Sequence, residues 1–150
     1  MRAVVQRVVR ARVTVGDQVT GEIGPGLLVL VGVSKHDTAS DVAAIAAKIR
    51  DMRVFEGEVG KPMDRSIVQG GGSVLVVSQF TLYGDMRKGR RPSFDDAATP
   101  AVARDMYEQL VRELRTTGLT VETGEFQAMM RVELVNDGPV TILIDSTKQF

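Results

Sequence analysis

The residues Leu27-Leu28-Val29-Leu30-Val31-Gly32-Val33 form a run with no polar side chain at either parity. Successive side chains of a strand point to opposite faces, so a run that is apolar on both sides of its pleat has to be covered on both. We read it as a central strand with packing above and below. Ser73 to Phe80, built on Val74-Leu75-Val76-Val77, reads as a second buried strand. Any fold for this chain has to place these two runs inside.

The remaining segments supply the cover. Val4, Gln6 and Val8, then Arg12-Val13-Thr14-Val15, alternate β-branched with polar residues up to a turn at Gly16-Asp17, from which Val19 to Ile23 can return as a hairpin. Thr38 followed by Asp41 is an Asp variant of the capping box, and Val42, Ile45, Ala46, Ile49 and Met52 recur behind it at helical spacing. Arg53-Val54-Phe55 suggests a short strand. Glu56 to Gly72 is a loop region punctuated by Gly and Pro, with an ordered piece near Ser66 to Gln69. Thr99-Pro100 gives a helix start, and Val102, Met106, Leu110 and Leu114, with Tyr107 and Val111 beside them, form the stripe of a helix ending near Gly118. Glu125 to Val135 and Val140 to Ile144 read as two strands joined by Asn136-Asp137-Gly138-Pro139. The expectation is one α+β domain over residues 1–150, a largely antiparallel sheet or barrel with two main helices packed on it.

Composition narrows the chemistry. The chain has no cysteine, which removes disulfides, thiolate nucleophiles and cysteine-bound zinc. Asp and Glu show no metal-ligand spacing, and Gly70-Gly71-Gly72 precedes a strand without a following Lys-Ser/Thr, so it is not a phosphate loop. No metal or cofactor is expected. Nineteen basic and nineteen acidic residues cancel, so any polyanion must be met by a local patch. No apolar stretch approaches the roughly 20 residues that span a bilayer, and arginines interrupt the first apolar run; a cytoplasmic protein is expected.

Three constellations stand out. Ser78-Gln79-Phe80-Thr81-Leu82-Tyr83 lies where a buried strand emerges, and by residue type alone its polar members are either edge groups or site groups. Asn136-Asp137-Gly138-Pro139-Val140-Thr141 is, by turn chemistry alone, a turn. Met86 to Phe94 carries Arg87, Lys88, Arg90 and Arg91, the densest positive run, which is either a solvated loop or a phosphate contact. His36, the single histidine, sits at the start of a helix as a surface or capping residue rather than a base.

The two strings Ser78 to Tyr83 and Asn136 to Thr141 together resemble the signatures of the D-aminoacyl-tRNA deacylases. The resemblance extends through Gln6-Arg7-Val8, Gly21-Glu22-Ile23-Gly24 and Gly72 to Val77. It implies hydrolysis of the ester of D-aminoacyl-tRNA as chiral proofreading by a homodimer with two sites at its interface; since a steric wall cannot exclude a residue without a side chain, glycyl-tRNA is expected to be cleaved as well. The resemblance places catalysis at Ser78, Gln79, Phe80 and Thr81; because this string holds almost no acid–base residue, the backbone amides of Phe80 and Thr81 are the candidate oxyanion donors. Gly138 and Pro139, joined by a cis bond and entering the partner's site, would select chirality with help from Arg7 and Asn136. Arg87, Lys88, Arg90 and Arg91 would meet the acceptor stem. The alternatives are the related editing domain of some threonyl-tRNA synthetases, which removes an L-amino acid, and a tRNA-binding module without catalysis.

Overall fold

The structure is a computed structural model describing residues 1–150. Strand β1 (Arg2–Val15) turns at Gly16, whose φ of +57° suits glycine, into β2 (Gln18–Ile23), and β3 (Gly26–Gly32) continues in the same direction. The register against β1 runs unbroken from Arg2↔Gly32 to Val8↔Gly26 and on from Ala11↔Ile23 to Val13↔Gly21. β2 and β3 are therefore one arm laid along one edge of β1. The other edge of β1 is taken by β6 (Arg131–Asp145), also antiparallel.

From β3 the chain crosses through α1 (Ala39–Asp51) and the short α2 (Ile67–Gly70) to β4 (Ser73–Ser78), which pairs parallel with β3. A 3-10 turn (Phe80–Tyr83) and α3 (Pro100–Arg115) then lead to β5 (Val121–Thr123), parallel to β4. Parallel neighbours need such crossovers. β5 comes back against β2 so closely that a Cβ on Gly21 would lie 2.3 Å from the Thr123 carbonyl oxygen. The result is a single α+β domain, a mixed and nearly closed barrel with two main helices. Three strand pairings are antiparallel and two parallel, so the sheet is mixed but largely antiparallel, as expected.

The two apolar runs are covered as their composition requires. Leu27, Val29, Val31, Val74 and Val76 face α1 and α3, where Val42, Ile45, Ile49, Leu110 and Leu114 are buried. Leu28, Leu75 and Val77 face the barrel interior with Val8, Ala11, Val13 and Ile23. On β1, Ala3 and Val5 point to the helices while Ala11 and Val13 point inside, although all four are odd-numbered. A bulge against β6 between Val8 and Arg10 resets the alternation there, leaving Val9 exposed.

Helix starts follow local chemistry. The Asp41 carboxylate accepts from the Thr38 N–H at 2.8 Å, and Gln69 closes the same motif on Ser66 at 3.0 Å. Pro100 opens α3. Elsewhere the structure corrects the sequence reading. Arg53-Val54-Phe55 is not a strand but makes one bridge, Phe55↔Arg65. β4 ends at Ser78 because the chain winds into the 3-10 turn, and three-residue β5 is too short to show a period. Glu125 to Met130 is turn and loop, β6 beginning at Arg131. Asn136 to Pro139 does not reverse the chain, since the residues on both sides pair with the same strand β1.

Candidate active site

β4 delivers the first constellation. Its neighbours β3 and β5 both run parallel to it, and beyond its C-terminal end the Gln79 N–H still donates to the Val31 carbonyl at 2.7 Å. The C-terminal ends of parallel strands are where open backbone becomes available to a ligand. The 3-10 turn that follows makes its own bonds from the Leu82 N–H to the Gln79 carbonyl and from the Gly84 N–H to the Thr81 carbonyl. Being first in the turn, the amides of Phe80 and Thr81 have no partner within it. The Gln79 Nε2 donates to the Thr81 hydroxyl at 2.6 Å. An amide cannot take a proton from that hydroxyl, so Thr81 has no base beside it.

Ser78, Gln79, Phe80 and Thr81 line a cavity of about 680 Å³ whose other walls include Phe94, Ala98, Pro100, Phe126 and Met129. None of its 16 lining residues carries an ionisable side chain. Phe94 meets Phe80 edge-on with ring centroids 4.9 Å apart. Phe126 is held between Tyr107, 5.9 Å away, and the Arg104 guanidinium 4.7 Å above its ring. Tyr107 in turn donates its hydroxyl to the Val76 carbonyl at 2.8 Å, and burial pushes its pKa up to about 12. Phe94, Phe126 and Met129 carry no signal in the sequence: they come from two loops, the one before α3 and the one between β5 and β6, and share no period. A larger cavity, about 850 Å³, flanks the far end of the turn at Tyr83 and holds His36, Asp37, Asp41 and Asp145. It is polar and contains none of Ser78 to Thr81, so the smaller, apolar cavity with converging polar groups is the candidate site.

The second constellation is a bulge. Gln6 pairs with Thr141 and Val8 with Asn136, so the extra residues Asp137 to Val140 lie opposite Arg7, with Asp137 to Pro139 exposed and Val140 turned into the core. The Gly138-Pro139 bond is cis. Arg7 holds the bulge: its Nε donates to the Asp137 carbonyl at 3.2 Å and lies 3.3 Å from the Asp137 carboxylate, while Nη1 donates to the Val54 carbonyl. β1 is central rather than an edge strand here, and the Arg7 side chain is only 15% exposed. Asn136 closes the base, its Oδ1 accepting from the Val140 N–H and its Nδ2 donating to Thr141 Oγ1, both at 3.0 Å. Gly138 has φ +132°, and a Cβ there would meet Val140 Cγ2 at 2.8 Å and Arg7 Nη2 at 3.2 Å. Gly138 and Pro139 are exposed, and no residue of Asn136 to Thr141 lines the cavity of the same chain.

The third constellation is a closed loop. Asp85 and Ser93 exchange backbone bonds at 2.8 and 3.0 Å, and Gly89 turns the tip with φ +75°. The Arg87 guanidinium grips the Asp85 carboxylate at 2.6 Å, and these side-chain hydrogen bonds lower the Asp85 pKa to about 2. Lys88, Arg90 and Arg91 are exposed and form no ion pair. Of the four cations, three present uncommitted charge. The loop rejoins the cavity wall at Phe94.

The fold and site thus define a mixed β-barrel protein whose cleft is lined by hydroxyl and amide side chains and aromatic walls, with no acid–base pair among them. Residues 4–145 match the model of the D-Tyr-tRNA(Tyr) deacylase family. Similar curated proteins are the D-aminoacyl-tRNA deacylases of Symbiobacterium thermophilum, 62% identical over 150 residues covering all of this chain and 99% of that one, and of Koribacter versatilis, 59% identical over the full length of both. Among solved structures, a c-Myc DNA unwinding element binding protein superposes with TM-score 0.91 at 42% identity, over 97% of this chain and 98% of that one. A probable eukaryotic D-amino acid tRNA deacylase shares the fold, with TM-score 0.82 at 18% identity over 95% and 97%. The chain belongs to the D-tyrosyl-tRNA deacylase family. Its activity is that of a D-aminoacyl-tRNA deacylase, a hydrolase.

Proposed function

We propose that the chain acts as a cytoplasmic homodimer in which each cavity cleaves the ester between a D-amino acid, or glycine, and the terminal ribose of tRNA, with backbone rather than side-chain catalysis. The observation that carries this reading is the cavity of 16 residues without one ionisable group, beside the unpartnered amides of Phe80 and Thr81. Amides aimed at the developing oxyanion stabilise charge without titrating, and the 2′-hydroxyl next to the ester can orient water. Gln79 fixes the Thr81 hydroxyl for positioning.

Selection of chirality is assigned to Gly138 and Pro139 of a second copy. Within one chain the bulge is exposed and absent from its own cavity, which supports delivery across an interface. Arg7 and Asn136 stiffen it from both sides. A thousandfold preference against an L-side chain needs about 4 kcal/mol. A clash with a braced main chain can reach that, whereas a missing methylene gives only about 1–3 kcal/mol. Glycine has no side chain to exclude, so glycyl-tRNA is a substrate. Lys88, Arg90 and Arg91, with Arg87 partly committed to Asp85, are assigned to acceptor-stem phosphates.

The test offers D-tyrosyl-, L-tyrosyl- and glycyl-tRNA to the purified protein, then D-tyrosyl-tRNA ending in 2′-deoxyadenosine, and compares Thr81→Ala and Thr81→Ser. Selective release of D-tyrosine and glycine, with loss of turnover on the deoxy substrate, is expected. Full activity on the deoxy substrate together with abolition by Thr81→Ala would establish a threonine nucleophile instead. The solved relative named for binding a DNA unwinding element favours a second reading, a nucleic-acid-binding role without turnover. Release of neither amino acid supports that one.

A further inference from the structure

We propose that Arg2 is a positioning residue for the 3-10 turn that presents the Phe80 and Thr81 amides, clamping that turn to the last residue of the strand that carries Gly138 and Pro139. The inference rests on the reading that those amides serve the reaction. Arg2 lines the polar cavity beyond Tyr83 and not the candidate active site, so its influence passes through the turn.

The guanidinium has four partners, one of them the Phe150 ring 5.5 Å from its Cζ, and the other three bear on the turn and its anchor. Its Nε donates to Asp145 Oδ2 at 2.9 Å, its Nη1 donates to the Leu82 carbonyl at 3.3 Å, and its Cζ lies 4.7 Å from the centre of the Tyr83 ring. Leu82 and Tyr83 are the last two residues of the turn, and the Leu82 N–H bonds back to Gln79. A donor on the Leu82 carbonyl therefore fixes the far end of the same short turn whose first residues, Phe80 and Thr81, line the cavity. The anchor is rigid. The Asp145 side chain is only 2% exposed, and its carboxylate accepts from both the N–H and the hydroxyl of Thr147 at 2.7 Å. Burial alone would raise the Asp145 pKa, but the bonds from Thr147 and Arg2 outweigh it, and the carboxylate is stabilised in its charged form.

The strand register puts the clamp where it can act. Arg2 pairs with Gly32 on one side and with Asp145 on the other. A Cβ on Gly32 would lie 3.0 Å from the Gln79 carbonyl, 3.1 Å from Leu82 Cβ and 3.2 Å from Tyr83 Cδ2. The turn thus rests directly on a bare stretch of β3, and Arg2 reaches over from the adjacent strand to hold its end. Lysine would keep the charge opposite Asp145. It has no planar fork with which to reach Leu82 and cover Tyr83 at once.

The experiment compares Arg2→Lys and Arg2→Met with the wild type in steady-state hydrolysis of D- and L-tyrosyl-tRNA, alongside thermal melting. Expected are a fall in kcat of about tenfold in both variants, in keeping with the loss of one charged hydrogen bond, a KM within about twofold of wild type, and an unchanged D-to-L preference. Arg2→Lys should regain most of the melting temperature without regaining kcat. A purely stabilising salt bridge would give the opposite pattern, with kcat restored wherever the fold is. Wild-type kcat in folded Arg2→Lys overturns the proposal, as does a loss expressed in KM alone. Should Arg2→Met not fold, Arg2→Lys carries the test. A wild type that releases no D-tyrosine overturns the catalytic reading of the amides instead, so the two failures are separable.

Discussion

Replacing Gly138 by alanine tests the bulge, because the new methyl meets two obstacles of different kinds. At φ +132° an L-residue sits in a sparsely populated region that costs on the order of 1–3 kcal/mol. Its Cβ would also stand 2.8 Å from Val140 Cγ2. Val140 is 8% exposed and packed in the helix-side core, so it cannot swing away freely. Overpacking of this kind adds about 1–3 kcal/mol. If the bulge keeps its shape, the sum is near 4 kcal/mol; at about 2–4 °C per kcal/mol for a chain of this size, the melting temperature falls by roughly 8–16 °C. If the bulge peels away from Val140 and Arg7, less stability is lost and the braced main chain moves. Selectivity then suffers instead, and a displacement that removes 1.4 kcal/mol of clash narrows the D-to-L rate ratio about tenfold.

The assay pairs thermal melting with initial rates on D- and L-tyrosyl-tRNA. Gly16→Ala is the control, since Gly16 has φ +57° and an added methyl there would find no atom within 4 Å, so it reports backbone strain without the packing clash. Gly138→Ala should lose more stability than Gly16→Ala, or lose chiral preference, or both. A variant that melts like wild type and retains its D-to-L ratio would refute the account of a braced wall.

Tyr107→Phe removes a buried hydroxyl bonded to Val76 beside the cavity and should cost about 1–2 kcal/mol in chemical denaturation. Because folding raises the Tyr107 pKa from 10.0 to about 12, its contribution is fully present below pH 10 and is lost as pH rises toward 12; the phenylalanine variant should show a shallower decline of the denaturation midpoint across that window. The double variant Lys88→Ala, Arg90→Ala should flatten the plot of log tRNA affinity against log salt by somewhat under one unit for each contact removed, and an unchanged slope would take the loop out of the tRNA interface. His36 is exposed and outside the active-site cavity, so His36→Ala should leave kcat/KM for D-tyrosyl-tRNA within about twofold; a larger loss would bring back a histidine base.

What could be read in the sequence was whatever depends on near neighbours. The parity of Leu27 to Val33 and of Val74 to Val77 required cover on two faces, and they have it in the helix layer and the barrel interior. Thr38 with Asp41, Ser66 to Gln69 and Thr99-Pro100 marked helix starts or ordered pieces, because capping acts over three or four residues. The first family signature runs into the cavity wall, where Ser78 to Thr81 lie, but its string of residues says nothing of the other walls.

Tertiary structure decided the rest, through contacts between residues far apart in the chain. Asn-Asp-Gly-Pro carries the residues of a reversal, yet it is a bulge, because β1 is long enough to pair on both sides of it and Arg7 holds its centre from 130 residues away. Four adjacent cations became three available ones when Asp85 captured Arg87. Arg2 reads as one more charge near a strand end until barrel closure sets it over Leu82 and Tyr83. The runs that demanded burial fixed which residues lie inside. Only the closing of the sheet fixed which main-chain groups were left without partners at the cavity, and local propensity cannot specify that because their partners, or the lack of them, lie elsewhere in the chain.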